Sequence, residues 1–359
     1  MPSTRVRHTP ASGGLWRGRH RSMSNEVNIS DVRDESQVAP LTGRGYNAQM
    51  IPGGSAPTCS VVVCTRDRPE QLGRCLAALS RQTHPPFDVL VVDNAPSDGR
   101  TREVAARWGV GYLLEPEAGL SRARNRGARE CSGEIVAYID DDAVAEPGWL
   151  AALAAEFADP SVGVVTGRCL PLEGGAEEEA SALMQQWWST GPERLRVDRQ
   201  SEGWESLAIR GGIGVGMNMA FRRGLFAEWR GFHPRLGRGA EIRGWEEQLA
   251  FFDLLQLGHA ILYTPTAVVQ HPVPQSLGDF RRFRSQAQAD YVAWLLFLIV
   301  EERSARRPAL RVIREHLLRT PVPGTATRPA EEGRGRSSPV GAALAGGVSY
   351  LRLIFSWRR

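Results

Sequence analysis

The hydrophobic pattern begins abruptly at Cys59. Ser60-Val61-Val62-Val63-Cys64 is a short, continuous, β-branched run, the mark of a strand covered on both faces. Pro69 then opens a helix in which Leu72, Leu76 and Leu79 recur at helical spacing. Val89–Val92 reads as a second buried strand, Arg100–Arg107 as a helix, Val110–Leu114 as a short strand and Leu120–Glu130 as an arginine-studded helix. Ile135–Ile139 is the next strand. A helix with Trp149, Leu150, Leu153 and Phe157 inward starts at Pro147, and Val162–Thr166 is a strand again. Residues 171–210 break the pattern: they are polar, carry the run Glu177-Glu178-Glu179, and read as an irregular insertion that covers a ligand. Strand-like Val215–Phe221 follows, then a helix from Trp245 to Leu257 and strands near Ala260–Tyr263 and Ala267–Gln270. Strands alternating with helices predict crossover units and an α/β fold with a largely parallel, twisted sheet.

The flanks differ. Residues 1–57 are rich in Arg, Ser, Gly and Pro, show no sustained periodicity, and read as a disordered extension with Met23 as an alternative start. They hold no apolar core of a secretory signal. Residues 58–272 form the expected domain, and 273–359 read as a basic, partly helical extension. Within it Tyr291–Val300 is almost wholly apolar but short of the roughly 20 residues that a membrane span needs. Val340–Trp357 is interrupted by Gly346, Gly347 and Arg352. Core packing, a homodimer interface and peripheral contact with an anionic membrane are the three readings open for these stretches.

Charge narrows the chemistry. All 44 basic residues of the 359-residue chain are arginine, which excludes lysine Schiff bases and P-loop lysines. The net charge of +4 divides into +3 over 1–57, −7 over 58–271 and +8 over 272–359. An acidic core under a basic tail is the wrong way round for a nucleic-acid binder. It suits a cation-using enzyme whose tail leans on anionic lipid. Five cysteines, an odd number without a C-x-x-C pair, read as buried thiols of a reducing compartment, and the expected location is cytoplasmic, at the inner face of the membrane where the tail touches it.

In an open parallel sheet, ligands bind outside the carboxyl ends of the strands. Thr65-Arg66-Asp67-Arg68 follows the first strand, Asp93-Asn94 and the turn Pro96–Gly99 the second, and Asp140-Asp141-Asp142 the strand Ile135–Ile139. Three consecutive carboxylates repel unless a cation or donors compensate them, and Mg²⁺ or Mn²⁺ is held by carboxylates together with substrate phosphates. The alternative makes Asp142 a cap for the helix after Pro147, which accounts for one aspartate and not three. Asp93 sits at a strand end where it can accept a hydrogen bond from a base or ribose; an Asx turn is its alternative. Arg124, in Gly119–Gly127, suits a phosphate or the carbonyl edge of a base. Glu246 and Glu247 open a helix, where the macrodipole favours carboxylates, and one of them can also serve as general base toward a substrate hydroxyl. His271 ends a strand, as a structural residue or as a metal ligand. Gly211–Gly216 is no dinucleotide loop, because it precedes a strand instead of joining strand to helix.

Together these segments resemble the family 2 glycosyltransferases, inverting enzymes with the GT-A fold. The resemblance rests on Val61–Pro69, Val91-Val92-Asp93-Asn94, Gly119–Gly127, Asp140-Asp141-Asp142, Met217–Arg223 and Glu246-Glu247 with His271 behind it, in the family's order. It implies that Thr65 and Arg66 line a nucleotide pocket, that Asp93 contacts the base, and that Asp141 and Arg124 face the donor. Asp140 and Asp142 become the ends of a D-x-D motif that holds Mg²⁺ or Mn²⁺, with His271 as a further ligand. Glu246-Glu247 stands where the family has Glu-Asp, whose second residue deprotonates the acceptor. Glu247 is therefore the expected base, with Glu246 its rival because a glutamate reaches one methylene further than aspartate. The implied reaction moves a sugar from a nucleotide-diphosphate donor, UDP before GDP or dTDP, to a hydroxyl on a glycan, a lipid-linked acceptor or a small molecule. A non-catalytic nucleotide-sugar scaffold and a sugar nucleotidyltransferase are the alternatives.

Overall fold

The computed structural model describes residues 57–84, 86–172 and 174–317, without the side chains of 316 and 317. The expected N-terminal disorder, the alternative start at Met23 and the apolar stretch Val340–Trp357 lie outside the described residues.

The chain alternates β1 (Cys59–Thr65), α1 (Pro69–Leu79), β2 (Phe87–Asn94), α2 (Arg100–Arg107), β3 (Gly111–Glu115), α3 (Leu120–Glu130) and β4 (Ile135–Asp140). It continues through β5 (Val144–Ala145), α4 (Trp149–Ala155), β6 (Val162–Pro171), α5 (Glu178–Trp188), β7 (Leu195–Val197), α6 (Trp204–Arg210) and β8 (Asn218–Arg222). It then runs through α7 (Glu246–Leu257), β9 (Ala260–His271), α8 (Leu277–Val300) and α9 (Arg306–Leu317). The strands form one sheet in the order β3-β2-β1-β4-β8-β6-β9-β5, with β7 on β9. The pairings β1–β2, β1–β4, β2–β3 and β6–β9 are parallel. Those of β8 with β4 and β6, and of β5 and β7 with β9, are antiparallel. The sheet is thus mixed, because β8 inserts between β4 and β6 against their direction. Along β1, Val62 faces one apolar layer while Val61 and Val63 face the other, so the continuous run is covered on both sides. Close packing of α3 on β1 needs Gly127, where an added Cβ would stand 2.5 Å from Val62.

Two segments depart from the sequence reading. Residues 171–210 are not irregular: α5, β7 and α6 lie within them. Ala180, Met184 and Trp188, one turn apart, bury one side of α5, and β7 adds to the sheet. Predicted Val215–Phe221 starts as a strand only at Asn218, because Gly214 takes a positive φ of 140° and turns the chain. In the C-terminal extension, Tyr291–Val300 lies on α8, and Trp294, Phe297 and Leu298 join the core. Trp294 stacks on Trp245, ring centroids 6.2 Å apart, and donates from Nε1 to the Ile209 carbonyl at 3.2 Å. The extension thereby buttresses the start of α7, which carries Glu246 and Glu247. All five cysteines are free thiols, and no described helix is long and apolar enough to cross a membrane.

Candidate active site

Strand register assembles the site. Thr65 pairs opposite Asp93 across β1–β2, and Cys64 opposite Asp140 across β1–β4, so three polar strand ends share one edge. On the far side, Val144 of β5 pairs with Gln270 of β9. The next position sets Ala143 opposite His271, which brings the imidazole beside Asp142. The resulting cavity has a volume of about 260 Å³, and Thr65, Arg66, Asn94, Asp140, Asp142 and His271 are among its walls.

Asp140, Asp142 and His271 each offer a ligand atom, all within 4.8 Å of one another. His271 Nε2 lies 3.0 Å from Asp142 Oδ1 and 3.9 Å from Asp140 Oδ2. Its Nδ1 is 2.8 Å from the Pro272 carbonyl, to which it donates, so Nε2 is the ring atom that faces the two carboxylates. Trp188 closes the other side of the ring edge-on, at 5.4 Å between centroids. Two carboxylates and one imidazole on a cavity wall are a donor set that fits Mg²⁺ or Mn²⁺. Burial works to raise Asp142, but His271 and Arg68 outweigh it and hold its pKa at about 2. Burial likewise works to lower His271, and Asp142 reverses it, so the imidazole is raised.

Asp141, between the two candidate ligands, turns inward. Its Oδ2 accepts from Thr65 Oγ1 at 2.6 Å and its Oδ1 from Arg68 at 3.1 Å. Burial pushes its pKa up to about 6 against those donors. Arg68 also reaches Asp142 at 2.8 Å, so one guanidinium braces two consecutive carboxylates.

The surroundings of Glu246 and Glu247 are built around Arg124, which is 3% exposed. Its Nη1 meets Glu246 Oε1 at 2.6 Å, and its Nη2 meets the Gly216 carbonyl at 2.9 Å and Asp140 Oδ1 at 3.5 Å. Glu247 points differently: its Oε1 accepts from the Gly216 backbone N–H at 3.2 Å. Burial, with Glu246 next to it, drives the Glu247 carboxyl well above the usual carboxylate range, only partly offset by Arg124. Trp245, with a left-handed φ of 69°, turns the chain into α7 just ahead of this pair.

The sequence-derived donor and metal residues therefore fall into two groups, and Glu246 and Glu247 lie outside the cavity lining. Thr65, Arg66, Asp140, Asp141, Asp142 and His271 meet at the cavity. Arg124 stands behind it, bound to protein groups, and Asp93 lies fully buried below it, its Oδ2 accepting from the Tyr112 hydroxyl at 3.0 Å. Asn94 takes the cavity position beside Asp93, and its Oδ1 accepts from the Gly119 N–H at 2.8 Å. Sequence reasoning passed over Arg238, which only its flanking glycines signalled; Trp188, open from the sequence as core or as a sugar-stacking ring, is buried against His271.

The family model described as Glycosyl transferase family 2 matches residues 60–230. Glycosyltransferase AglE of Haloferax volcanii is 34% identical over 224 residues, 60% of this chain and 67% of that protein. The Glucosyl-dolichyl phosphate glucuronosyltransferase of the same organism is 26% identical over 230 residues, 62% of this chain and 71% of that one. The solved mannosyltransferase PcManGT from Pyrobaculum calidifontis, in complex with GDP-Man and Mn²⁺, matches with a TM-score of 0.51 at 21% identity, over 88% of this chain and 90% of its own, a likeness of fold.

Proposed function

Because the chain belongs to the family 2 glycosyltransferases, which transfer sugars from nucleotide-sugar donors on a GT-A fold, we propose that it is a metal-dependent, inverting enzyme acting on a hydroxyl acceptor. The observation that carries this reading is the trio Asp140, Asp142 and His271 on the wall of the strand-end cavity. These three residues would hold Mg²⁺ or Mn²⁺, which supplies Lewis-acid neutralisation of a diphosphate leaving group. Thr65, Arg66 and Asn94 line the part of the cavity that receives the nucleotide, and Asp93 backs it.

Glu247 is the proposed general base. The Arg124 ion pair takes Glu246 out of the competition, whereas Glu247 is held by neutral donors, the Gly216 N–H and the Gln248 side-chain amide, and has a carboxyl poised to accept a proton. It removes the proton from the acceptor hydroxyl as that oxygen attacks the anomeric carbon. The bond from that carbon to the diphosphate breaks in the same displacement, and the configuration inverts.

A UDP-sugar is the proposed donor, with GDP- and dTDP-sugars as its competitors, and the acceptor is a lipid-linked hydroxyl. A relative named for a glucosyl-dolichyl phosphate substrate supports that acceptor class, as does the +8 charge over 272–359, suited to an anionic membrane surface. Thermal unfolding with UDP, GDP or dTDP, each with and without Mn²⁺, tests the reading. Stabilisation that requires one nucleotide and the metal together is the expected result, since a ligand of the native state raises its stability. Release of nucleoside diphosphate, not pyrophosphate, then separates sugar transfer from nucleotidyl transfer.

A further inference from the structure

The guanidiniums at and beside the cavity are unequally committed. Arg68 is taken by Asp141 and Asp142, Arg124 by Glu246, and exposed Arg66 lies 3.9 Å from Asp67. Arg238 lines the same cavity as the acidic trio, and none of the carboxylates of the described residues pairs with it. Asp142, within its electrostatic reach, is already held by Arg68 and His271.

The backbone fixes Arg238 there. It stands between Gly237 and Gly239, at φ 99° and 83°, left-handed values that a side chain would resist. Its carbonyl accepts from the Leu120 N–H at 2.9 Å, and Gly237 donates to the Ile242 carbonyl at 2.9 Å. A Cβ on Gly239 would meet the Gly119 backbone at 3.4 Å, so the loop lies directly on the start of α3. A divalent cation held by Asp140 and Asp142 would polarise a donor diphosphate as a Lewis acid, but the two carboxylates already match its charge, so cation, carboxylates and diphosphate together stay negative and call for a further cation.

We infer that Arg238 is that cation: it binds the phosphoryl oxygens of the donor diphosphate beside the acidic trio and thereby selects diphosphates over monophosphates. The inference rests on the nucleotide-sugar reading above and adds to it a specificity residue outside the motifs that carry the resemblance. No bond changes at Arg238; it stays protonated and acts by charge-assisted hydrogen bonds.

Calorimetric titration of the full chain in Mn²⁺ tests it, with UDP, GDP and dTDP and their monophosphates as probes. For the base that the wild type binds, Arg238→Ala is expected to weaken the diphosphate by about 10- to 100-fold. It is expected to leave the monophosphate unchanged, and Arg238→Lys to recover part of the loss. Because the side chain is exposed, neither variant disturbs the core. Equal weakening of diphosphate and monophosphate, or no weakening, overturns the inference while the donor reading stands. A wild type that binds none of the six nucleotides overturns the donor reading, and this inference with it.

Discussion

Arg124 Nη1 and Glu246 Oε1 meet at 2.6 Å in the interior, and this pair sets two adjacent glutamates apart: Glu246 is locked in a buried ion pair and Glu247 accepts from the Gly216 N–H. With Arg124 at 3% and Glu246 at 4% exposure, neither charge has solvent to fall back on. Losing one partner strands the other, whereas Glu247 can change protonation without breaking an ion pair.

Glu247→Gln is therefore expected to bind nucleotide and metal as the wild type does, and to lose turnover by about 10²- to 10⁴-fold, the usual worth of a positioned base. Glu246→Gln is expected to lower stability first, since it takes the nearest carboxylate from the buried Arg124 charge and leaves only Asp140, at 3.5 Å, to balance it. Nucleoside diphosphate release and urea unfolding, measured on both variants, check the assignment. Normal turnover in Glu247→Gln would transfer the base role to Glu246.

The pH profile follows from the same residue. The base must be a carboxylate, and burial beside Glu246 raises the Glu247 pKa from 4.5 to about 8. Wild-type kcat/KM should rise with pH through that region and level off above it. Stability carries the opposite slope. The native state holds this proton where the unfolded chain has lost it, so the contribution falls as pH climbs from 4.5 toward about 8. Melting temperatures of wild type and Glu247→Gln across that window should converge at its acid end. An activity limb below pH 5 would remove Glu247 as the titrating base.

Asp142→Asn keeps the shape of the side chain and removes its charge. The expected outcome is a folded protein whose stabilisation by nucleoside diphosphate no longer depends on Mn²⁺. Thermal unfolding with and without the metal measures it, and undiminished metal dependence would contradict the ligand assignment.

Arg124→Met is expected to destabilise by about 3–5 kcal/mol, the range for breaking a buried ion pair from one side. Arg124→Lys should restore little, because one ammonium cannot span Glu246, the Gly216 carbonyl and Asp140 as the planar fork does. Urea midpoints of the two variants against wild type provide the comparison.

What the sequence made legible was whatever a local pattern encodes. Continuous apolar strands end in polar clusters, so the pattern alone brings Thr65 and Asp140 to one edge, as the register of β1, β2 and β4 does. The buried stripe Ala180-Met184-Trp188 was present too, but Glu and Gln between its members diluted it into an apparent loop. Other features depend on pairings distant in sequence. The two-residue strand β5 sets His271 beside Asp142, and no propensity announces so short a strand. An arginine fork suits a phosphate or the carbonyl edge of a base, which points Arg124 toward a ligand in the sequence, whereas Glu246, its carboxylate partner in the structure, lies 122 residues away in the chain.

Gly216 joins the two halves of the site, since its N–H donates to Glu247 and its carbonyl accepts from Arg124. An added Cβ would stand 3.2 Å from Arg124 Nη2 and 3.3 Å from Glu247 Cδ. Arg124 is pinned by Glu246 and cannot yield, so the strain falls on Glu247, the less restrained neighbour. Gly216 has an ordinary φ, which alanine tolerates, so Gly216→Ala should fold. A displacement of a few tenths of an ångström at the base is expected to lower kcat about tenfold, short of the loss that a full ångström brings. The melting temperature should change little. Steady-state kinetics beside thermal unfolding tests this: a variant with full kcat would show that the Glu247 position is not set by the Gly216 backbone.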